Sequence, residues 1–188
     1  MSPLREIPMI EQIVPSTICF ACDVCCRFPD DTSPLRPYFT EEEIRAAMAA
    51  GVAPDAFPDH HGSQVRLVPH DEGYRCPAFC PETGHCGIYT ARPLDCRLYP
   101  IAVMWDVETQ AVVMGWDSKC PFIRGTRESP ESQMYVDRMA ARLESPNIAD
   151  IFIEHPQLVG AYQDDVIILK RLDTITLGLR PSEKPRRP

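Results

Sequence analysis

The stretch Cys19-Phe20-Ala21-Cys22-Asp23-Val24-Cys25-Cys26 decides how this chain is read. Its spacing is C-x2-C-x2-C-C. Two-residue spacers let consecutive thiolates turn toward one ion or one cluster, with the intervening backbone N–H groups pointing at the sulfurs. Such a run serves tetrahedral zinc. It also matches the first three ligands of a ferredoxin-type run. Side chains of neighbouring residues diverge, so Cys25 and Cys26 more readily serve two sites than one. A vicinal disulfide between them would be strained.

Working outward, five more cysteines follow: Cys76, Cys80, Cys86, Cys96 and Cys120, in CPAFC, HCGIY, LDCRLYP and SKCPF. Nine cysteines can mean disulfides, packing or metal ligation. Disulfides need an oxidising compartment. The N-terminus, MSPLREIPMIEQIVPSTICF, carries acidic and proline residues without a continuous apolar core, so no secretory signal is read and the expected location is cytoplasmic. An odd count would also leave one thiol unpaired. Clustering favours metal. Four cysteines close together and five spread over the middle supply up to eight thiolates, enough for one or two four-ligand sites with one thiol left over.

The rest of the composition narrows the class. A chain of 188 residues suits one domain. A net charge of −8 repels phosphate backbones, so no nucleic-acid partner is expected. No apolar run approaches the ~20 residues of a membrane span. Neither a glycine-rich phosphate loop nor a G-x-S-x-G elbow is present.

The pattern predicts an α+β fold: a small, irregular, metal-stabilised domain with a few short antiparallel strands and C-terminal helices. Residues 1–18 read as an extended lead-in, because Pro3, Pro8 and Pro15 oppose helix. Thr40 and Glu43 form a T-x-x-E capping box before Ile44, Ala47 and Met48, and Gly51 ends that helix. The run Glu41-Glu42-Glu43 suits the positive end of the helix dipole. Residues 63–68 alternate as a strand. A ligand-rich loop spans 70–90, and a helical turn is expected over 92–96. Residues 98–105 and 111–116 read as a hairpin, with Trp105 and Trp116 in the core. Ser129-Pro130 and Ser145-Pro146 open two helices. Residues 166–169 form a strand. The domain is read as 1–175, and residues 176–188 as a flexible, basic, proline-rich tail.

A second block runs from Cys86 to Pro100, CGIYTARPLDCRLYP. Together with Cys19–Cys26 it resembles the cysteine-cluster proteins of the C-x2-C-x2-C-C type, described as zinc- or iron-chelating domains. That family's second block reads C-x-I-Y-x-x-R-P-x-x-C-R-x-[FY]-P, and every element is matched here. The resemblance covers about residues 19–122. It implies that Cys19, Cys22, Cys25, Cys26, Cys76, Cys86, Cys96 and Cys120 are the metal ligands, and leaves Cys80 outside the pattern, as a packed thiol, a resolving cysteine or a substitute ligand. The family is defined by its cysteines, so the resemblance carries no reaction.

Beside Cys96, Arg92 and Arg97 either donate to anionic sulfur or form ordinary ion pairs, with Asp95 or another carboxylate. Tyr89 and Tyr99 are expected to wall the site. His60, His61, His70 and His85 are weak ligand candidates, His85 the best of them through its place beside Cys86. Spacing leans to an iron–sulfur cluster, with 4Fe–4S favoured: three clustered thiols are followed by a remote cysteine before proline, as in Cys76-Pro77 or Cys120-Pro121. Zinc remains the alternative. The expected role is a redox, sensing or accessory protein with a protein partner; second comes a zinc-binding structural module, and third a metal-dependent enzyme.

Overall fold

The computed structural model describes residues 10–179. Its cysteine stretch is two tight turns. Helix α1 (Ser16–Cys19) starts behind Pro15, and the N–H of Phe20 closes the turn on Ser16 O at 2.9 Å. The lead-in is therefore not extended throughout: proline sits before the first turn, where no helical N–H is required of it. A 3-10 turn (Val24–Cys26) follows, and the chain then straightens into β1 (Arg27–Phe28).

Strand β2 (Tyr38–Thr40) runs into α2 (Glu41–Ala49), whose capping box forms as expected. Gly51, at φ 104°, turns the chain away behind the helix. The single strand read at 63–68 is two, β3 (Gly62–Gln64) and β4 (Val68–His70). Between them Val65 and Leu67 are buried, while Val65 N bonds Pro37 O and Arg66 N bonds Ala56 O. The alternation was thus a buried connector between two different ladders.

The supposed loop over 70–90 holds three short strands, β5 (Gly73–Arg75), β6 (Phe79–Cys80) and β7 (His85–Cys86). The helical turn expected over 92–96 lies slightly later, as α3 (Leu94–Leu98), because Pro93 takes the N-cap position. Leu98 therefore ends a helix, and the hairpin starts at β8 (Ile101–Asp106), returning as β9 (Ala111–Asp117).

Helix α4 (Pro121–Thr126) has no counterpart in the sequence reading. Helices α5 (Pro130–Leu143) and α6 (Pro146–Glu154) follow their Ser-Pro signals, and Ser129 caps α5 through the N–H of Ser132. Strand β10 (Val166–Arg171) precedes α7 (Asp173–Leu179). That last helix crosses the expected tail boundary at 175: Thr176 is fully buried, and its hydroxyl accepts from Val112 N at 2.9 Å. Residues 180–188 of the expected tail lie outside the described residues.

The strands of the described residues form four small antiparallel sheets: β1-β5-β4, β10-β9-β8, β2-β3 and β6-β7. The fold is α+β. All seven residues of β9 are buried, since it is the central strand of its sheet and α7 packs against it. This explains its continuous apolar sequence. Gly115 lets β10 pass close, because a Cβ there would meet Ile167 O at 2.5 Å.

Among the described residues, two main apolar cores result, beside a small cluster of Met104, Val113 and Val166. The larger gathers Trp116, Met114, Leu143, Ile148, Phe152, Leu172 and Ile175 beneath the hairpin and the C-terminal helices. The smaller gathers Phe39, Ile44, Ala47, Phe57, Val65, Phe79 and Ile88 around α2. The cysteines sit where the two meet.

Candidate metal centre

A cavity of about 90 Å³ lies between the cores, and eight thiols line it: Cys19, Cys22, Cys25, Cys26, Cys76, Cys86, Cys96 and Cys120. Local structure delivers each one. Cys19 ends α1, and Cys22 follows it in a turn closed by Cys22 N on Cys19 O at 3.2 Å. Cys25 and Cys26 belong to the 3-10 turn. Cys76 reaches the cavity through its N–H, which donates to Cys26 O at 3.0 Å. Cys86 lies on β7 opposite Phe79, Cys96 lies on α3, and Cys120 is the N-cap of α4. All nine cysteines are free thiols.

The ninth, Cys80, faces elsewhere. Its Sγ donates to Glu82 at 3.1 Å, and it is not part of the cavity wall. None of the four candidate histidines lines the cavity either. The His85 ring packs on Phe20 at 4.7 Å, His61 pairs with Glu41 at 3.3 Å, and His70 lies 3.4 Å from Asp71. His60 is exposed. The wall between the sulfurs is apolar, with Phe39, Phe79, Ile88 and Phe122 joined by Tyr89 and Tyr99.

Burial sets the electrostatics. It pushes the Cys76 thiol up to about 12 and raises Cys19, Cys86 and Cys120. Cys96 is held well above the ordinary thiol range by burial, with the Asp95 charge adding to it. Cys25, although exposed at the cavity edge, is held high first by its hydrogen bond with Cys26. A thiol in apolar surroundings keeps its proton. Metal entry must therefore displace protons, and retention must weaken toward acid.

Arginines oppose this, and the first, Arg75, pulls Cys76 downward. Arg92 lines the cavity, and its charge pulls Cys19, Cys25 and Cys86 downward. Its guanidinium lies 3.6 Å over the Tyr89 ring and donates to Gln12 Oε1 at 2.5 Å. Tyr89 donates to the same oxygen at 3.1 Å. Arg97 is placed differently. It lies outside the cavity wall, with Nη2 3.7 Å from Glu43 Oε1.

Three supporting roles, those of Glu43, Asp95 and Gln12, escaped the sequence reading. Glu43, 2 % exposed, accepts from Thr40 N at 3.0 Å and from Leu94 N at 2.6 Å, tying α2 to the first turn of the helix that carries Cys96. Asp95 accepts from Tyr38 N at 2.9 Å, and burial pushes its carboxyl up to about 6. The capping-box motif contained the signal for one half of Glu43's role. Nothing local announces the other half, nor the role of Gln12, because those partners lie 51 and 80 residues away.

The donor set fits a thiophilic metal: eight soft sulfurs, no histidine and an apolar wall. The thiols surround a space rather than converge on a point. Among the described residues, no three His, Cys, Asp or Glu side chains form a preassembled ion cage. A family model described as "CxxCxxCC: Putative zinc- or iron-chelating domain" matches residues 18–121, more than half of the chain. The chain belongs to the CxxCxxCC family. That membership supports metal chelation and covers every cavity thiol, Cys120 included. Searches of curated proteins and of solved structures gave no match. Among the described residues, no helix of this CxxCxxCC protein is long and apolar enough to cross a membrane.

Proposed function

We propose that this CxxCxxCC protein holds iron as an iron–sulfur cluster in the cavity, and that it works in the cytoplasm as a redox, sensing or accessory protein for a protein partner. One observation carries the reading: the eight thiols of the cluster, the second block and the family pattern line one apolar cavity, and Cys80 does not. Thiolate donors suit iron–sulfur clusters. A multi-atom cluster needs its sulfurs spread around a volume. A single zinc ion needs them about 2.3 Å from one point. Thiols also stay reduced in the cytoplasm.

When bound, such a cluster supplies one-electron chemistry. The chain's own residues do the rest. Phe79, Ile88 and Phe122 keep water from the sulfurs, Tyr89 fixes Gln12 and Arg92, and Arg92 offsets negative charge on the cavity sulfurs. Zinc is the second reading, favoured by a thiol count that divides evenly into closed four-coordinate sites.

The test is anaerobic purification followed by an absorption spectrum and assay of iron, zinc and acid-labile sulfide. Iron with sulfide and a band near ~400 nm is expected for thiolate-bound clusters. Stoichiometric zinc with no visible band would overturn the iron reading in favour of zinc.

A further inference from the structure

We infer that the cavity is built for two four-thiolate centres, divided at the Cys25–Cys26 peptide. Cys19, Cys22, Cys25 and Cys120 hold one; Cys26, Cys76, Cys86 and Cys96 hold the other. The inference rests on the reading that these thiols bind metal, and it assigns which thiols act together.

The backbone makes the division. Cys25 lies inside the 3-10 turn and belongs with the tight turns that carry Cys19 and Cys22. Cys26 ends that turn, and the next residue, Arg27, is already extended at φ −112°, ψ 141°. Strands β1 and β5 pair Arg27 with Arg75 and Phe28 with Tyr74. One step further along this antiparallel ladder places Cys26 opposite Cys76, and the bond from Cys76 N to Cys26 O is that step. Residues opposite each other in such a ladder present their side chains to one face.

The second set is tied together further on. Phe79 N bonds Cys76 O at 3.0 Å, and Phe79 is the register partner of Cys86. Cys26, Cys76 and Cys86 all pack with the smaller core, whereas Cys19 and Cys120 pack with the larger. Cys22 joins the first set through its turn on Cys19, and Cys96 completes the second set of four.

Chemistry supplies the reason for two. A single four-ligand centre would leave four of the cavity thiols unused in an apolar site. Two centres employ all eight.

The test uses the full chain purified anaerobically. Wild type is expected to hold metal for two centres: about two zinc ions if zinc, or about eight irons with sulfide if both are 4Fe–4S. The within-set double variants C22S/C120S and C76S/C96S should each keep half of the wild-type metal. The cross-set variant C22S/C96S should lose nearly all of it. Because variants can fail to fold, wild type is also subjected to stepwise chelation with thiol alkylation followed by mass spectrometry. The thiols should become reactive as two groups of four with the membership above. Metal for one centre only, eight thiols released together, or groups of other membership would overturn the division. Wild type without any metal, even after reconstitution with zinc or with iron and sulfide, would overturn the metal reading itself.

Discussion

Replacing Glu43 by alanine tests the link between α2 and the cysteine helix. Glu43 is 2 % exposed and satisfies two backbone donors, Thr40 N and Leu94 N, with Arg97 3.7 Å away. Alanine leaves both donors without an acceptor in the core. Each orphaned buried donor costs about 1–3 kcal/mol, so E43A should destabilise by about 4 kcal/mol. For a chain of this size that is a fall in Tm of about 8–16 °C. Glutamine retains one acceptor oxygen and should lose about half as much. Far-UV circular dichroism melts of wild type, E43Q and E43A at one fixed metal concentration read this directly, since bound metal itself moves Tm. E43A should also retain less metal, because Leu94 opens the helix that carries Cys96. A Tm for E43A within 2 °C of wild type, or E43Q falling as far as E43A, would refute the reasoning.

Glu43 also carries a pH signature. Burial holds its carboxyl above the ordinary value of 4.5, against the backbone bonds and Arg97, which pull it down. The folded state therefore binds the proton more tightly, and this contribution to stability declines as pH rises from about 4.5 through the higher folded value. E43Q has no such proton, so its deficit relative to wild type should be largest below that window and shrink above it; a deficit that grows with pH contradicts the assignment. Gly115→Ala should destabilise by at least ~1–3 kcal/mol, because the new Cβ meets backbone at Ile167 O. Gly125→Ala, with nothing within 4 Å, should instead stabilise by up to ~1 kcal/mol, and urea titrations of the two should move in opposite directions. Thr176→Val removes the acceptor for the buried Val112 N–H and should cost about 1–3 kcal/mol in the same titration. Cys80→Ser should leave metal content unchanged by elemental analysis, since Cys80 bonds Glu82 outside the cavity; a drop would place it among the ligands.

Much of this molecule is written in short spans of sequence. The capping box at Thr40 and Glu43, the Ser-Pro helix starts and the apolar β8–β9 pair are local signals, complete within a few residues. Each folds as read. Thiol spacing works the same way. The cluster supplies four cysteines, the second block two, and the family resemblance adds Cys76 and Cys120; those eight line the cavity. Reading failed where an element depends on a distant partner. Residues 63–68 look like one strand by alternation, but their hydrogen bonds go to Pro37 and Ala56, which splits the run. The second half of helix α7 reads as tail, because its polar anchors, Thr174 on Glu144 and Thr176 on Val112, find their partners only after folding.

Sequence alone therefore determined the donor chemistry, the α+β class and family membership, since residue type and near spacing suffice for those. Tertiary structure decided three further matters. Arg92 faces the sulfurs while Arg97, five residues on, faces Glu43. Cys80 is turned away. Cys26 lies opposite Cys76 across a ladder, fifty residues apart in the chain. Side-chain direction is fixed by which strand pairs with which and by which core a helix packs against. Those are non-local contacts, and spacing along the chain does not encode them.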